Sequence, residues 1–208
     1  MEHIMRKTTL SLIVAAGAAA VCAAFAFAAN HDKPVSLAGI QPAMSLDAVR
    51  QARATGVGER AGLYCRGDGD VLFEAANGLA DNDVARISCV WTTTGFQGQR
   101  ELAPIAMRGR SSTDYRLTFA PAGAGRWRLE SFRISFPFAA YGDVVSSETE
   151  ALGEPDELIE KSAYALVQDA AVQWKSGAGT LSVSASRGFL GGPVGTTVQL
   201  KTVHADNT

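Results

Sequence analysis

Histidine is scarce in this chain and badly placed for chemistry. His3 lies inside an N-terminal leader described below, while His31 and His204 fall within a few residues of the ends of what would remain. Chain ends are usually poorly ordered, whereas a serine or cysteine nucleophile needs a base held rigidly beside it and a zinc site needs fixed ligands. The sequence therefore predicts no catalytic residue, no metal site and no cofactor.

Carboxylates leave one catalytic alternative open. The sequence pattern assigns no role to four glutamates of the central region: Glu59, Glu74, Glu101 and Glu130. Hydrolysis of a glycosidic bond needs two carboxyl groups at a set separation in a cleft. A periplasmic hydrolase using paired carboxylates is therefore the alternative to a non-catalytic protein. The Asp and Asn clusters near 68–70 and 81–83 do not fit a calcium-binding loop and are typical of turns.

Two cysteines predict a disulfide. Cys22 belongs to the leader, which leaves Cys65 and Cys89 in the exported chain. An isolated pair of cysteines is expected to be bridged in an oxidising compartment, and two free thiols are the alternative. The bridge would close a loop of about two dozen residues and add roughly 3 kcal/mol to the free energy of unfolding.

Arginines are concentrated between residues 100 and 133. They are Arg100, Arg108, Arg110, Arg116, Arg126, Arg128 and Arg133. On alternating strands, Arg116, Arg126 and Arg128 are expected to share the exposed face of a hairpin. The planar guanidinium pairs well with carboxylates and is common in protein interfaces, so these three are the candidate partner-binding residues. The alternative is a solvated face that protects a sheet edge from aggregation.

Residues 1–28 have the pattern of a cleavable signal peptide. Arg6 and Lys7 precede an Ala-rich apolar run, and the small-x-small exit at Ala26–Ala28 is typical of a cleavage site. A retained membrane anchor and a lipoprotein modified at Cys22 are the alternatives. Cleavage predicts a periplasmic or secreted protein with no stable membrane span. The net charge is −2 for the full chain, which gives no support for a nucleic-acid partner.

The first elements after the leader are a helix and a set of short strands. Ser45 is expected to cap a helix that ends at Gly56 and buries Met44, Val49 and Ala52. The pieces GLYC, DVLFEA and ARISCVW suggest strands joined by turns. The alternation in DYRLTF predicts a half-buried strand over 114–119.

The strand that follows has an irregular pattern. Trp127 and Leu129 are odd-numbered, while Phe132, Ile134 and Phe136 are even-numbered. A regular strand cannot bury both sets on one face. The pattern therefore predicts a β-bulge near residues 130 and 131.

The last third repeats a helix and then strands. A helix is expected to end at Gly153, with a further helical turn or two in PDELIEKSA. Alternation at Val172 and Trp174, at 181 and 183, and at 198 and 200 predicts three strands.

The segment GIQPAMSLDAVRQARATG, with Met44, Ser45, Val49 and Gly56, resembles the opening of small exported helix–sheet modules. These modules are of the type found in the small lipoprotein of the β-barrel assembly machine and, as a tandem pair, in the β-lactamase inhibitor protein. The exit Ala151–Pro155 is similar to theirs, whereas Ala43 stands in place of their usual Gly. The resemblance implies helices on a sheet whose exposed face binds other proteins, without enzymatic activity.

Together these features predict an α+β protein with short helices packed on an antiparallel β-sheet, as two similar halves in tandem. A chance likeness between two successive α+β stretches is the alternative to a duplication. The expected division is a signal peptide at 1–28, a bridged α+β module at 29–138 and a smaller module at 139–208. The expected function is an exported, non-catalytic cell-envelope protein that binds another protein or acts as a scaffold. A secreted enzyme inhibitor, presenting a loop around 66–83, is a further alternative.

Overall fold

A computed structural model describes residues 34–80, 85–137, 139, 141–159, 168–187 and 193–203. The predicted signal peptide, His31, His204 and residues 81–83 lie outside these ranges. Three helices occur in the described part of the chain: α1 Leu46–Ala52, α2 Val71–Ala76 and α3 Tyr141–Leu152.

Eleven strands occur in the same ranges. In chain order they are β1 Gly62–Cys65, β2 Ile87–Thr94, β3 Arg100–Leu102, β4 Ile105–Met107, β5 Arg110–Ser112, β6 Tyr115–Pro121, β7 Trp127–Pro137, β8 Glu157–Ile159, β9 Gln168–Lys175, β10 Gly179–Arg187 and β11 Pro193–Thr202. The protein is therefore mostly antiparallel sheet with few short helices. This confirms the α+β prediction in its coarse form.

Nine of the described strands form one antiparallel sheet. Its order is β1-β2-β6-β7-β11-β10-β9-β8, with β3 paired to the last three residues of β2, while β4 and β5 form a separate hairpin. Strand β7 from the predicted first module pairs with β11 from the predicted second, placing Ile134 opposite Val198. The described residues do not show tandem halves. The division at 138/139 stays a prediction, although both segments share this sheet.

Strand β7 contains the predicted β-bulge. Thr118 pairs with Ser131 and Phe119 pairs with Leu129, so Glu130 is the extra residue of the bulge. Leu129 and Phe132 are both buried on either side of it. The extra residue moves the buried positions from odd to even numbers, as the sequence pattern required.

The sheet has one strongly apolar face, here called the inner face. The inner face extends from β2 to β9. Apolar residues lie opposite each other across it, as Leu117 does with Phe132 and Leu181 with Leu200. Its buried side chains include Trp91, Leu117, Phe132, Ile134, Val198, Leu200, Leu181, Val183 and Trp174. The predicted alternation of β6, β9, β10 and β11 is confirmed by this face. The opposite, more polar face is called the outer face.

Helix α1 begins as predicted but ends early. The Ser45 hydroxyl accepts the Ala48 N–H at 3.1 Å, which confirms the N-cap. The helix ends at Ala52, which is exposed, and Leu46 is buried in its place beside Val49. Gly56 serves another purpose: a Cβ there would lie 1.7 Å from the Ala106 carbonyl oxygen, so glycine permits the close approach of β4.

Two sequence predictions of local structure were wrong. DVLFEA was predicted as a strand but forms α2, because the Asp70 carboxylate accepts the Phe73 N–H at 3.0 Å and caps a helix. The extra helical turn expected after Pro155 is instead β8, which adds to the edge of β9 and pairs Leu158 with Val172. The helix end at Gly153 is confirmed, with a positive φ of 92°.

Candidate functional site

The Cys65–Cys89 disulfide is present and fixes the base of the candidate site. The two sulfur atoms are 2.05 Å apart, and the cysteines are directly opposite each other on β1 and β2. Both are buried. The bridge therefore anchors the segment that follows Cys65 and contains α2, residues 66–80, here called the stapled segment.

A hydrogen-bond network holds α2 against the outer face. The Tyr64 hydroxyl donates to Glu74 Oε1 at 2.9 Å and accepts the Asp70 N–H at 2.7 Å. The Gly67 N–H also donates to Glu74 Oε1, at 3.0 Å. Glu74 is buried, so these bonds replace the water that its carboxylate loses. Burial, with the nearby Glu74 carboxylate, raises the pKa of Tyr64 and keeps its hydroxyl a donor.

Arg100 on β3 joins the stapled segment to the neighbouring hairpin. Its guanidinium lies over the Tyr64 ring, 4.3 Å from the centroid, and 5.9 Å from the centroid of Phe73. It also lies 3.7 Å from the Asp70 carboxylate and donates to the Thr92 hydroxyl at 3.2 Å. A single side chain thus contacts β1, β2 and both ends of the first turn of α2.

A groove of about 680 Å³ lies between α2 and the β2–β3 hairpin. Its lining includes Leu72 and Asn77 from the stapled segment, Arg100 and Leu102 from β3, and Thr113. We call it the α2 groove. It is open, wide and lined by both apolar and charged groups, which is typical of a surface that receives a protein segment.

Large apolar side chains are exposed beside this groove. Val71 is 72% exposed and Leu72 84% exposed, and Phe96 at the tip of the β2–β3 hairpin is fully exposed. Among the described residues, only Leu158 and Val203 are comparably large, apolar and exposed. Adjacent exposed apolar groups on a rigid scaffold mark an interaction site more often than isolated ones do.

The sequence did not single out these residues. Read as a strand, Val71 and Phe73 would share a face, with Leu72 on the other. In the helix Phe73 is buried while Val71 and Leu72 face solvent. A helix in this segment could have been predicted from Asp70, a typical N-cap residue, followed by the acidic Glu74 in the first turn.

Two of the three predicted partner-binding arginines, Arg116 and Arg128, lie on one face of the sheet, and the third, Arg126, lies in a turn. Arg116 on β6 donates to the Asn77 carbonyl at 2.9 Å and so holds the end of α2. Arg128 lies opposite Ala120, on the outer face that Arg116 shares, and is exposed. Arg126 is exposed in the turn that precedes β7, where its N–H donates to the Gly123 carbonyl.

The four unassigned glutamates lie in different places. Glu74 belongs to α2 and is buried against Tyr64, Glu101 lines the α2 groove, and Glu130 pairs with Arg86 through two hydrogen bonds. Glu59 lines a separate cavity of about 590 Å³ beside Pro104. The geometry therefore brings none of these four together in a common cleft. Glu101 shares its groove with Asp70, whose carboxylate caps α2 and lies beside Arg100.

One further carboxylate is buried elsewhere. Glu148 on α3 accepts a hydrogen bond from Arg108 Nε at 3.2 Å and is 5% exposed. Loss of solvent raises its pKa, against the opposing effect of Arg108. It lines a cavity of about 270 Å³ with Met107 and is the only carboxylate among the described lining residues.

Comparisons with known proteins and a search for metal ligands give no further assignment. No protein-family model matches the chain, and neither a curated protein nor a solved structure is similar to it. Within the described ranges, no three His, Cys, Asp or Glu side chains are grouped as metal ligands would be. Of the described helices, none has the length and apolar character needed to cross a membrane.

Proposed function

We propose that this chain is an exported protein of the periplasm or extracellular space that binds another envelope or secreted protein and does not catalyse a reaction. The observation that carries the proposal is the exposure of Leu72, which lines the α2 groove, together with that of its neighbour Val71. An exposed Leu on a rigid helix costs solvation free energy unless a partner covers it.

Rigidity supports binding at this place. The stapled segment is anchored by the disulfide at its start, by Tyr64 and Glu74 beneath α2, and by Arg116 at its end. A preorganised surface loses little conformational entropy on association, which strengthens binding without added contacts. The disulfide also supports residence in an oxidising compartment.

The arginines contribute the polar margin of the proposed surface. Arg116 borders α2, and Arg128 continues the same face toward the exposed Arg126. Charged groups at the margin of an interface act on the rate and selectivity of association more than on its total free energy. We propose that these arginines steer an acidic partner to the α2 groove.

Site-specific photocrosslinking in the native envelope tests the proposal. A photoreactive amino acid is placed at position 72, at position 96 or, as a control, at Gln51, which is exposed on α1. The same partner should be captured from positions 72 and 96 and not from position 51. Leu72→Asp should remove the product formed from position 96. Equal capture from all three positions, or no capture at all, would overturn the proposal.

A secreted enzyme inhibitor is a second candidate form of this function. The first turn of α2 favours it, because Val71 and Leu72 are exposed on a segment bridged at its base. Exposed apolar side chains on a rigid projecting segment fit an enzyme cleft. If the captured partner is an enzyme, its activity should fall as the complex forms and return with Leu72→Asp. Full activity in the complex would exclude inhibition and leave binding intact.

A further inference from the structure

A polar cavity lies on the outer face beside the α2 groove. Its volume is about 300 Å³, and strands β6, β7 and β11 form its floor. Its lining side chains include Asp114, Arg116, Thr118, Ser131, Arg133 and Gln199. We call it the arginine cavity.

The register of the three strands arranges these residues in rows. Arg116 lies opposite Arg133, and Arg133 lies opposite Gln199. In the next row on the same face, Thr118 lies opposite Ser131. Donor groups from three strands therefore converge on one depression in the middle of the sheet.

The charges of the cavity are not balanced. Two like charges placed directly opposite each other in a sheet destabilise it, yet Arg116 and Arg133 are so placed. Arg116 donates to a neutral carbonyl, that of Asn77. Among the described residues, the charged partner of Arg133 is Asp114 at a long distance of 3.8 Å, and both side chains are more than half exposed. An exposed pair of this kind contributes little, so the cavity carries net positive charge.

Several donors of the cavity are also unused. Within the part of the chain that the structure describes, the side-chain hydroxyls of Thr118 and Ser131 and the side-chain amide of Gln199 make no hydrogen bond. All three residues are half-buried. Two guanidinium groups with hydroxyl and amide donors form the set of groups that binds an oxyanion.

The arginine cavity and the α2 groove adjoin. Asn77 lines the groove and accepts the hydrogen bond of Arg116, which lines the cavity. Thr113 lines the groove, and the next residue, Asp114, lines the cavity. A protein segment lying in the groove therefore reaches the cavity within a few residues.

From this juxtaposition we infer that the arginine cavity binds a carboxylate of the partner, the side chain of an Asp or Glu next to the apolar residue that occupies the α2 groove. The inference rests on the proposed protein-binding function. The planar fork of Arg133 fits a carboxylate in two-point contact, while Thr118, Ser131 and Gln199 supply hydrogen bonds to its remaining lone pairs. The carboxylate also offsets the repulsion between Arg116 and Arg133.

Peptide display tests the inference. A random peptide library is selected on the protein purified from the exported fraction after expression of the full chain. The wild type is compared with Arg133→Gln and with Arg53→Gln, an equal loss of charge at an exposed site outside both the groove and the cavity. Wild-type peptides should share an Asp or Glu at a fixed spacing from a large apolar residue. Arg133→Gln should bind them about tenfold less tightly, and Arg53→Gln should bind them equally.

The outcomes separate this inference from the proposed function. Peptides that are apolar but show no acidic position, or an acidic preference that survives in Arg133→Gln, would overturn the inference alone. Failure to select any peptide that competes with a crosslinked partner would also overturn the inference alone, whereas the absence of any crosslinked partner would overturn both. A titration of inorganic phosphate and of N-acetyl-aspartate amide, followed by the backbone amide signals of Ser131 and Gln199, distinguishes the source of the anion. Response to phosphate alone would assign the cavity to a free anion and contradict a partner carboxylate.

Discussion

The Tyr64 hydroxyl joins strand β1 to both ends of the first turn of α2, because it donates to the buried Glu74 carboxylate and accepts the Asp70 N–H. Helix α2 spans only Val71–Ala76. A helix this short is not stable by itself in water. Its place on the sheet therefore depends on side chains such as Tyr64 and Arg100 and on the disulfide.

Tyr64→Phe should lower the free energy of unfolding by about 1–3 kcal/mol, since it leaves a buried carboxylate and a backbone N–H short of a partner. Denaturation by urea measures the change. Tyr141→Phe is the matched control, because the buried Tyr141 hydroxyl has no hydrogen-bond partner among the described residues. It should leave stability unchanged or slightly higher. Equal losses in the two variants would contradict the role given to Tyr64.

Leu72→Asp should abolish partner binding without loss of stability, whereas Phe73→Ala, at the adjacent residue, should lower stability. Leu72 is exposed, so its replacement should leave stability within about 0.5 kcal/mol of the wild type. Phe73 is buried against the Tyr64 ring, so truncation should cost about 3 kcal/mol or more. Thermal and urea unfolding measure stability, and crosslinking from position 96 measures binding. A Leu72→Asp protein that is stable but still captures the partner would remove Leu72 from the binding surface.

Replacement of both cysteines, as Cys65→Ala with Cys89→Ala, should lower the free energy of unfolding by about 3 kcal/mol through a less constrained unfolded state. The bridge spans 24 residues along the chain. Urea unfolding of the oxidised wild type and the double variant gives the difference. Exported protein whose thiols react freely under denaturing conditions without a reductant would show that the bridge does not form in the cell.

Glu148→Gln should change how stability depends on pH. Burial raises the pKa of Glu148 above its ordinary value of 4.5. Between the two values the folded protein binds more protons than the unfolded chain, so the free energy of unfolding falls as the pH rises. The wild type should therefore lose stability relative to Glu148→Gln from about pH 4.5 upward, until the pH passes the raised pKa. Urea unfolding at a series of pH values measures this difference, and a constant difference would exclude the effect.

Features that depend on the spacing of apolar residues, or on residues that cap and end helices, were predictable from the sequence. Ser45 was identified as a cap, Gly153 as a helix end, and the β-bulge at Glu130 from the change of parity between Leu129 and Phe132. These features are local, because each is decided by neighbouring residues along the chain. The pairing of Cys65 with Cys89 was predictable because only two cysteines follow the predicted signal peptide.

The α2 groove and the arginine cavity were not predictable, because long-range contacts create them. Val71 and Leu72 face solvent while Phe73 of α2 packs on Tyr64 of strand β1. Arg133 meets Arg116 within one hairpin, but it meets Gln199 only because the distant strand β11 pairs with β7. The sequence indicated arginines in the right region but could not give their partners. It also placed a strand where the Asp70 cap produces a helix.

The arginine cavity is assembled from strands that are synthesised far apart. Arg116 and Arg133 belong to one hairpin, whereas Gln199 comes from β11, which follows the other described strands in sequence and lies between β7 and β10 in the sheet. A chain clipped before β11 would present β7 as an open edge, prone to pair with other strands, and would lack one wall of the cavity. Binding of a partner carboxylate in the arginine cavity, as proposed, therefore requires that β11 has paired with β7.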